Sequence, residues 1–209
     1  MFVVTSGHAF TSGNGGAETQ IDIVSAGGDI TATSAIDNIF LPTVSGNATA
    51  NYTTTTTGGD YFNTNSLTTA QGSGSGYQQS FYGISYIFTN NGAQTESVTL
   101  DWQGYVVSST QSDSGTAYSW DESTAYLTDD NASSTPIFEA DAFSESFSTT
   151  YADQFASGTY TLYLTPGETD QIDSLAENQG QSFSSAPSPA AGFPFLIGAL
   201  TAIRRRFRK

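Results

Sequence analysis

The hydrophobic pattern along this chain has a period of two. In FYGISYIFT, Tyr82, Ile84, Tyr86 and Phe88 alternate with smaller or polar neighbours. Successive side chains of a strand point to opposite faces, so this alternation predicts a half-buried strand. Asn90-Asn91-Gly92 follows, with residues that tolerate positive φ in turns. SVTLDW then puts Val98, Leu100 and Trp102 on one face and Ser97, Thr99 and Asp101 on the other. The two runs predict a hairpin. GTAYSW repeats the alternation with Tyr118 and Trp120, and STAYLT reads as the strand after it. PIFEADAF and ESFSTTY give weaker strands. TYTLYLT turns Tyr160, Leu162 and Leu164 to one side, Pro166-Gly167-Glu168 makes a turn, and Gln171 to Leu175 supplies the last strand.

Upstream the pattern is looser. Residues 1–20 are Gly/Ser-rich and read as a flexible segment. Ile21-Asp22-Ile23-Val24 begins a strand that ends at Gly27-Gly28, and Asp29 to Thr33 pairs back on it as a hairpin. Ile36, Ile39, Phe40, Leu41 and Val44 form a second apolar cluster. Ala48 to Gln71 contains Thr53 to Thr57, which is either an edge strand or a polar loop. Gly72-Ser73-Gly74-Ser75-Gly76 reads as a flexible joint. No segment of the body keeps a 3.6 period. Short strands between turns predict an all-β fold, an antiparallel β-sandwich spanning residues 21–183. FTNNGAQTESVTLDW and LTPGETDQI also resemble strand-turn-strand pieces of Ig-like repeats in bacterial surface proteins. That resemblance points to an Ig-like or jelly-roll sandwich.

Charge changes this picture at one end only. All five cations, Arg204, Arg205, Arg206, Arg208 and Lys209, lie in the last six residues. Residues 1–203 hold all 20 acids and no Lys or Arg, so their formal charge is -20 against -15 for the whole chain. Such a body has no cation with which to displace phosphate counterions, which argues against nucleic acid as a partner. There is no cysteine, so disulfides, thiolate metal sites and thiol nucleophiles are excluded.

The basic end follows an apolar run. Ala190 to Ile203 carries no charge and, as a helix, would reach about 21 Å at 1.5 Å per residue. A bilayer core takes about 30 Å, so the run alone is short for a permanent span. Long cationic side chains extend its reach to the headgroups. The basic cluster stays cytoplasmic by the positive-inside rule, which leaves the anionic body on the other side.

Pro187-Ser188-Pro189-Ala190, then Gly192-Phe193-Pro194-Phe195-Leu196-Ile197-Gly198-Ala199-Leu200-Thr201-Ala202-Ile203, then Arg204-Arg205-Arg206 is an ordered set of three parts. It resembles the PEP-CTERM sorting tail of exported bacterial proteins. Ser188 stands where the usual motif has Glu, which looks closer to the PTPA-CTERM variant. The resemblance covers the last 23 or so residues and implies a tail over 184–209. In it, Pro187, Ser188, Pro189 and Ala190 are the sorting motif. Residues Gly192 to Ile203 are the membrane helix, and Arg204 to Arg206, Arg208 and Lys209 the cytoplasmic stop. It further implies processing by an exosortase-like enzyme, transient residence in the inner membrane and release to the surface or to an extracellular polysaccharide matrix. MFVVTSGHAF lacks a basic n-region and its apolar run stops at Val4, so export predicts a true start upstream of Met1.

Candidate chemistry in the body is sparse. His8, the one histidine, sits among Gly and Ser with no G-x-S-x-G nearby and reads as a solvated loop residue. Asp121-Glu122 and Asp129-Asp130 are adjacent in sequence, which does not place two carboxyls across a cleft, and both pairs read as solvated turns. Asp129, Asp130 and Asn131 offer oxygen ligands to Ca²⁺ as the one cofactor candidate. Asn47, Asn51 and Asn131 match the glycosylation sequon, and Thr53 to Thr57 offers hydroxyls for O-linked sugar. Trp102 and Trp120 read as core residues, or with the tyrosines as a sugar-stacking platform. The expectation is an exported, non-enzymatic surface or matrix protein. The alternatives are a carbohydrate-binding module using exposed Tyr and Trp, and a permanently membrane-anchored protein.

Overall fold

The computed structural model describes residues 10–57, 61–113, 117–131 and 136–185. Eight strands account for most of them: β1 (Phe10–Ala26), β2 (Ile30–Thr57), β3 (Tyr61–Asn90), β4 (Glu96–Ser112), β5 (Ala117–Asp129), β6 (Phe138–Glu145), β7 (Tyr151–Leu164) and β8 (Thr169–Ser184). No helix occurs among the described residues. The fold is all-β and every strand pair is antiparallel, as the period of two predicts. The sheet runs β6-β5-β8-β3-β1-β4-β7, with β2 added along β3. Its two end strands come back toward each other, so the sheet is nearly closed as a barrel. The Gln154 side chain on β7 accepts from the Asp141 backbone N–H on β6 at 2.9 Å.

The sheet curls because β3 folds over. Its first part, Tyr61–Gln71, pairs with β1, and its second part, Gly74–Thr89, pairs with β8. β2 follows the same fold through a bulge between Gly46 and Ala48. A Cβ on Gly76 would sit 2.9 Å from the Thr49 carbonyl oxygen and 3.3 Å from that of Thr69, seven residues back on its own strand. One on Gly74 would sit 2.8 Å from the Asn47 carbonyl. The Gly/Ser run is therefore not a flexible joint between parts. It is continuous strand, and its glycines let backbones approach where a side chain would not fit.

Two layers result, β6-β5-β8 with the second part of β3, and β7-β4-β1 with the first. Hydrogen bonds tie them at several levels. Trp102 Nε1 donates to Ser174 Oγ at 3.1 Å, Tyr160 donates to Asp129 at 2.5 Å, and Ser119 donates to the Ser12 carbonyl at 2.9 Å. One end of the interior is apolar, with Trp102, Phe88, Leu100, Leu127, Leu164 and Ile172. The other is lined by small polar groups, among them Ser108, Ser119, Ser123, Ser144 and Ser182, and by the buried carboxyl of Asp121.

Three sequence expectations change. Residues 10–20 are the first half of β1, with Thr11, Ala17 and Thr19 buried, so they belong to the β body rather than to a flexible segment. Neither Asp29–Thr33 on Ile21–Val24 nor β4 on β3 forms a hairpin; β2 pairs with β3, and β4 with β1 and β7. Periodicity names the buried face of a strand, and a face is satisfied equally by a neighbour or by the opposite layer. Thr53 to Thr57 belongs to the strand alternative, in register with Asn65 to Tyr61. The expected C-terminal helix, Gly192 to Ile203, lies outside the described residues.

Candidate functional site

The outward face of β1, β4 and β7 carries the most chemistry. Cross-strand register builds it in rows. Asp22, Asp101 and Thr159 align, then Gln20, Gln103 and Ser157, then Glu18, Tyr105 and Phe155. Tyr151 stands beside Ser109 on the same face. Each row exists because the alternation in DWQGYVV sends Asp101, Gln103 and Tyr105 outward while Trp102, Gly104 and Val106 point in.

Small residues shape the surface. Ser157 lacks bulk, and a shallow open depression of about 380 Å³ lies between Gln20, Asp22, Asp101, Gln103 and Thr159. Tyr105 and Phe155 stand at one end, around a second, smaller depression lined by Glu18 and Gln103. Tyr151 is 56% and Phe155 59% exposed. The polar groups are pre-oriented. Gln103 Nε2 donates to Gln20 Oε1 at 2.6 Å, and Gln20 Nε2 donates to Asp22 at 2.8 Å. Thr159 donates to Asp101 at 2.6 Å. The Tyr105 hydroxyl is held above its ordinary pKa, first by desolvation and then by its hydrogen bond with Tyr151 and the charges of Asp153 and Glu18. It stays a neutral phenol across the physiological range.

Trp102 lies under this surface, 2% exposed, stacked on Phe138 with centroids 5.9 Å apart. It supports the sheet and does not present a ring to solvent. Trp120 points outward on the other layer, yet only 7% of it is exposed. Tyr77 and Phe143 flank its ring, both at 6.5 Å, and its Nε1 donates to Gln181 at 3.3 Å. Neither tryptophan offers an exposed ring, and the exposed aromatic side chains of the β1-β4-β7 face are Tyr105, Tyr151 and Phe155. The alternation around Gly104 carried the signal for Tyr105; which strand would stand beside it was not in the pattern.

Asp129, Asp130 and Asn131 close β5 as a turn. Asp129 accepts from Tyr160 on one oxygen and from the Asn131 backbone N–H, at 2.8 Å, on the other. Among the described residues no group of three or more His, Asp or Glu side chains is placed to hold a metal ion, so the Ca²⁺ candidate gains no further ligand. Asp121 and Glu122 point to opposite faces, the first buried and the second accepting from Gln179 at 2.5 Å, so they form no acid pair. Asn47, Asn51 and Asn131 are exposed. His8, Pro187 to Ala190, Gly192 to Ile203 and Arg204 to Lys209 lie outside the described residues. Among the described residues no helix is long and apolar enough to cross a membrane. No protein-family model, no curated protein and no solved structure matches the chain.

Proposed function

We propose that this chain is an exported, non-enzymatic surface or extracellular-matrix protein whose β1-β4-β7 face holds a neutral polysaccharide. The observation that carries the binding role is the row arrangement. Exposed Tyr105, Tyr151 and Phe155 border a trough of pre-oriented amides and carboxylates. Aromatic faces stack on the C–H side of sugar rings, and amides and carboxylates match hydroxyl donors and acceptors. Glu18, Asp22, Asp101 and Asp153 edge the face with no cation among them, which selects against acidic polymers. The tail supports export: its cations are segregated behind residues 192–203, and its three parts resemble an exosortase substrate. The folded-over β2-β3 pair fits a sandwich of jelly-roll type better than an Ig-like one. On this reading the tail is a short helix removed near Pro187 to Ala190.

Affinity electrophoresis tests the binding role. Migration slows in gels holding a neutral hexose polymer and not in gels holding a polyuronate. Tyr105→Ala and Phe155→Ala each weaken the retardation about tenfold, equivalent to about 1.4 kcal/mol, with unchanged thermal unfolding. Trp102→Ala instead costs about 3–5 kcal/mol of stability by opening a cavity. Equal migration in every gel, or retardation untouched by both aromatic substitutions, removes the polysaccharide from the account.

A further inference from the structure

Tyr163 is 71% exposed, the highest value among the large apolar and aromatic side chains of the described residues. Alternation along β7 sends Tyr151, Phe155, Thr159 and Tyr163 to one face, the face of the trough. Tyr163 lies in register with Ser97 on β4, and the Ser97 carbonyl accepts from the Gly27 backbone N–H at 3.0 Å. Its row therefore holds small neighbours, and its ring is left to solvent. Eight residues of β7 separate it from Phe155, about 26 Å at roughly 3.3 Å per residue. The trough fills that interval.

We propose that Tyr163 is the second aromatic anchor of the β1-β4-β7 face, and that the face holds an internal stretch of one linear neutral polysaccharide laid along β7 from Phe155 to Tyr163. This inference rests on the polysaccharide reading and adds to it the direction and length of the bound chain.

The line of anchors sets the direction. Tyr151, Phe155 and Tyr163 follow the strand, whereas the rows across β1, β4 and β7 span only about 10 Å at roughly 4.8 Å between strands. Hydroxyls and a carboxylate continue between the anchors: Thr159 donates to Asp101, and the Thr99 and Thr161 hydroxyls are bonded at 3.1 Å. β4 pairs on both sides, with β1 and β7, so the floor offers side chains and not free backbone groups. An extended peptide finds no strand edge to join there, while a polyhydroxyl chain needs none. Asp22 and Asp101 lie midway with no cation in their rows, which suits a neutral polymer and repels an acidic one. The depression is shallow and open, so the polymer passes through it and needs no free end. A chain stacked at one anchor holds its next rings near the other, and affinity rises once it is long enough to reach both.

Calorimetric titration of the full chain in mild detergent tests this. The probes are linear glucan, mannan and galactan oligomers, each supplied as a disaccharide and as a hexasaccharide. A disaccharide is held at Tyr105 and Phe155 alone, and a hexasaccharide reaches Tyr163. The expected result is that one series binds, with its hexasaccharide about tenfold tighter than its disaccharide. Tyr163→Ala abolishes that gain and leaves the disaccharide unchanged. Tyr163→Phe keeps the gain, because the ring remains. Both variants unfold at the temperature of the unaltered chain, since the side chain is exposed. Equal affinity for the two lengths, or a gain that Tyr163→Ala leaves intact, overturns the second anchor while the polysaccharide reading stands on Tyr105 and Phe155. Absence of binding to every oligomer removes that reading and this inference with it.

Discussion

Asp121 is fully buried between the layers, where Gly15 and Gly180 leave the only room for its carboxyl. Burial pushes its pKa well above the ordinary carboxylate value, the charge of Glu122 adds to the rise, and the hydrogen bond from Ser108 opposes it. A native state that holds this proton above about pH 4, where the unfolded chain releases it, binds more protons than the unfolded state. Stability therefore falls as pH rises through that window. Glu177, Asp130 and Asp170 shift in the same direction, each by burial first. Melting temperature against pH checks this: the native chain loses stability as pH rises above about 4, and Asp121→Asn flattens the slope. An unchanged slope would mean that Asp121 is already ionised in the native state. This interior position within β5 overturns the expected solvated turn at Asp121-Glu122. Alternation through AYSWDESTAYL puts Asp121 on the face of Ala125 and Leu127, but only the small residues opposite, Ser108 and Gly15, show why a carboxyl is tolerated there. The same register sets Trp120 on the outward face, yet its ring is buried between Tyr77 and Phe143, in keeping with the packing role that the sequence suggests for both tryptophans.

At the scale of elements, most strands from Tyr82 to Leu175 were visible because each alternates over a run that buries one face; ESFSTTY is the exception, since Ser146 to Thr150 form the turn between β6 and β7, with the Ser148 N–H donating to the Glu145 carbonyl. The folding-over of β3 was not, because it depends on backbone crowding and not on side-chain pattern. Gly/Ser composition suits a linker in isolation, and Gly76 acquires its role only when Thr49 and Thr69 close around it. Gly76→Ala places a methyl 2.9 Å from the Thr49 carbonyl oxygen, an atom that moves only with its strand. The expected cost is about 1–3 kcal/mol, and at about 2–4 °C per kcal/mol for a chain of this size the melting point drops by several degrees. Gly28→Ala, whose methyl meets nothing within 4 Å, is the matched control and leaves it unchanged. Equal melting points for the two variants would contradict a close fold-over.

For the whole molecule, charge is distributed on one principle. Carboxylates cover the layers, the β2 edge is nearly neutral, and every cation waits behind residue 203. The described strands form an anionic all-β body, whose β1-β4-β7 face is the proposed polysaccharide site. On the proposed export reading, the basic end stays on the cytoplasmic side while the body, without cations, is the part transferred. The two arguments are independent, and delivery to the outside is the claim on which the matrix role depends. The most direct measurement is the intact mass of the protein recovered from its native cells, fraction by fraction. The account predicts it in the envelope or the medium, shortened by about twenty C-terminal residues, with cleavage near Pro187 to Ala190. Full-length protein in the cytosol, with Arg204 to Lys209 attached, would contradict it.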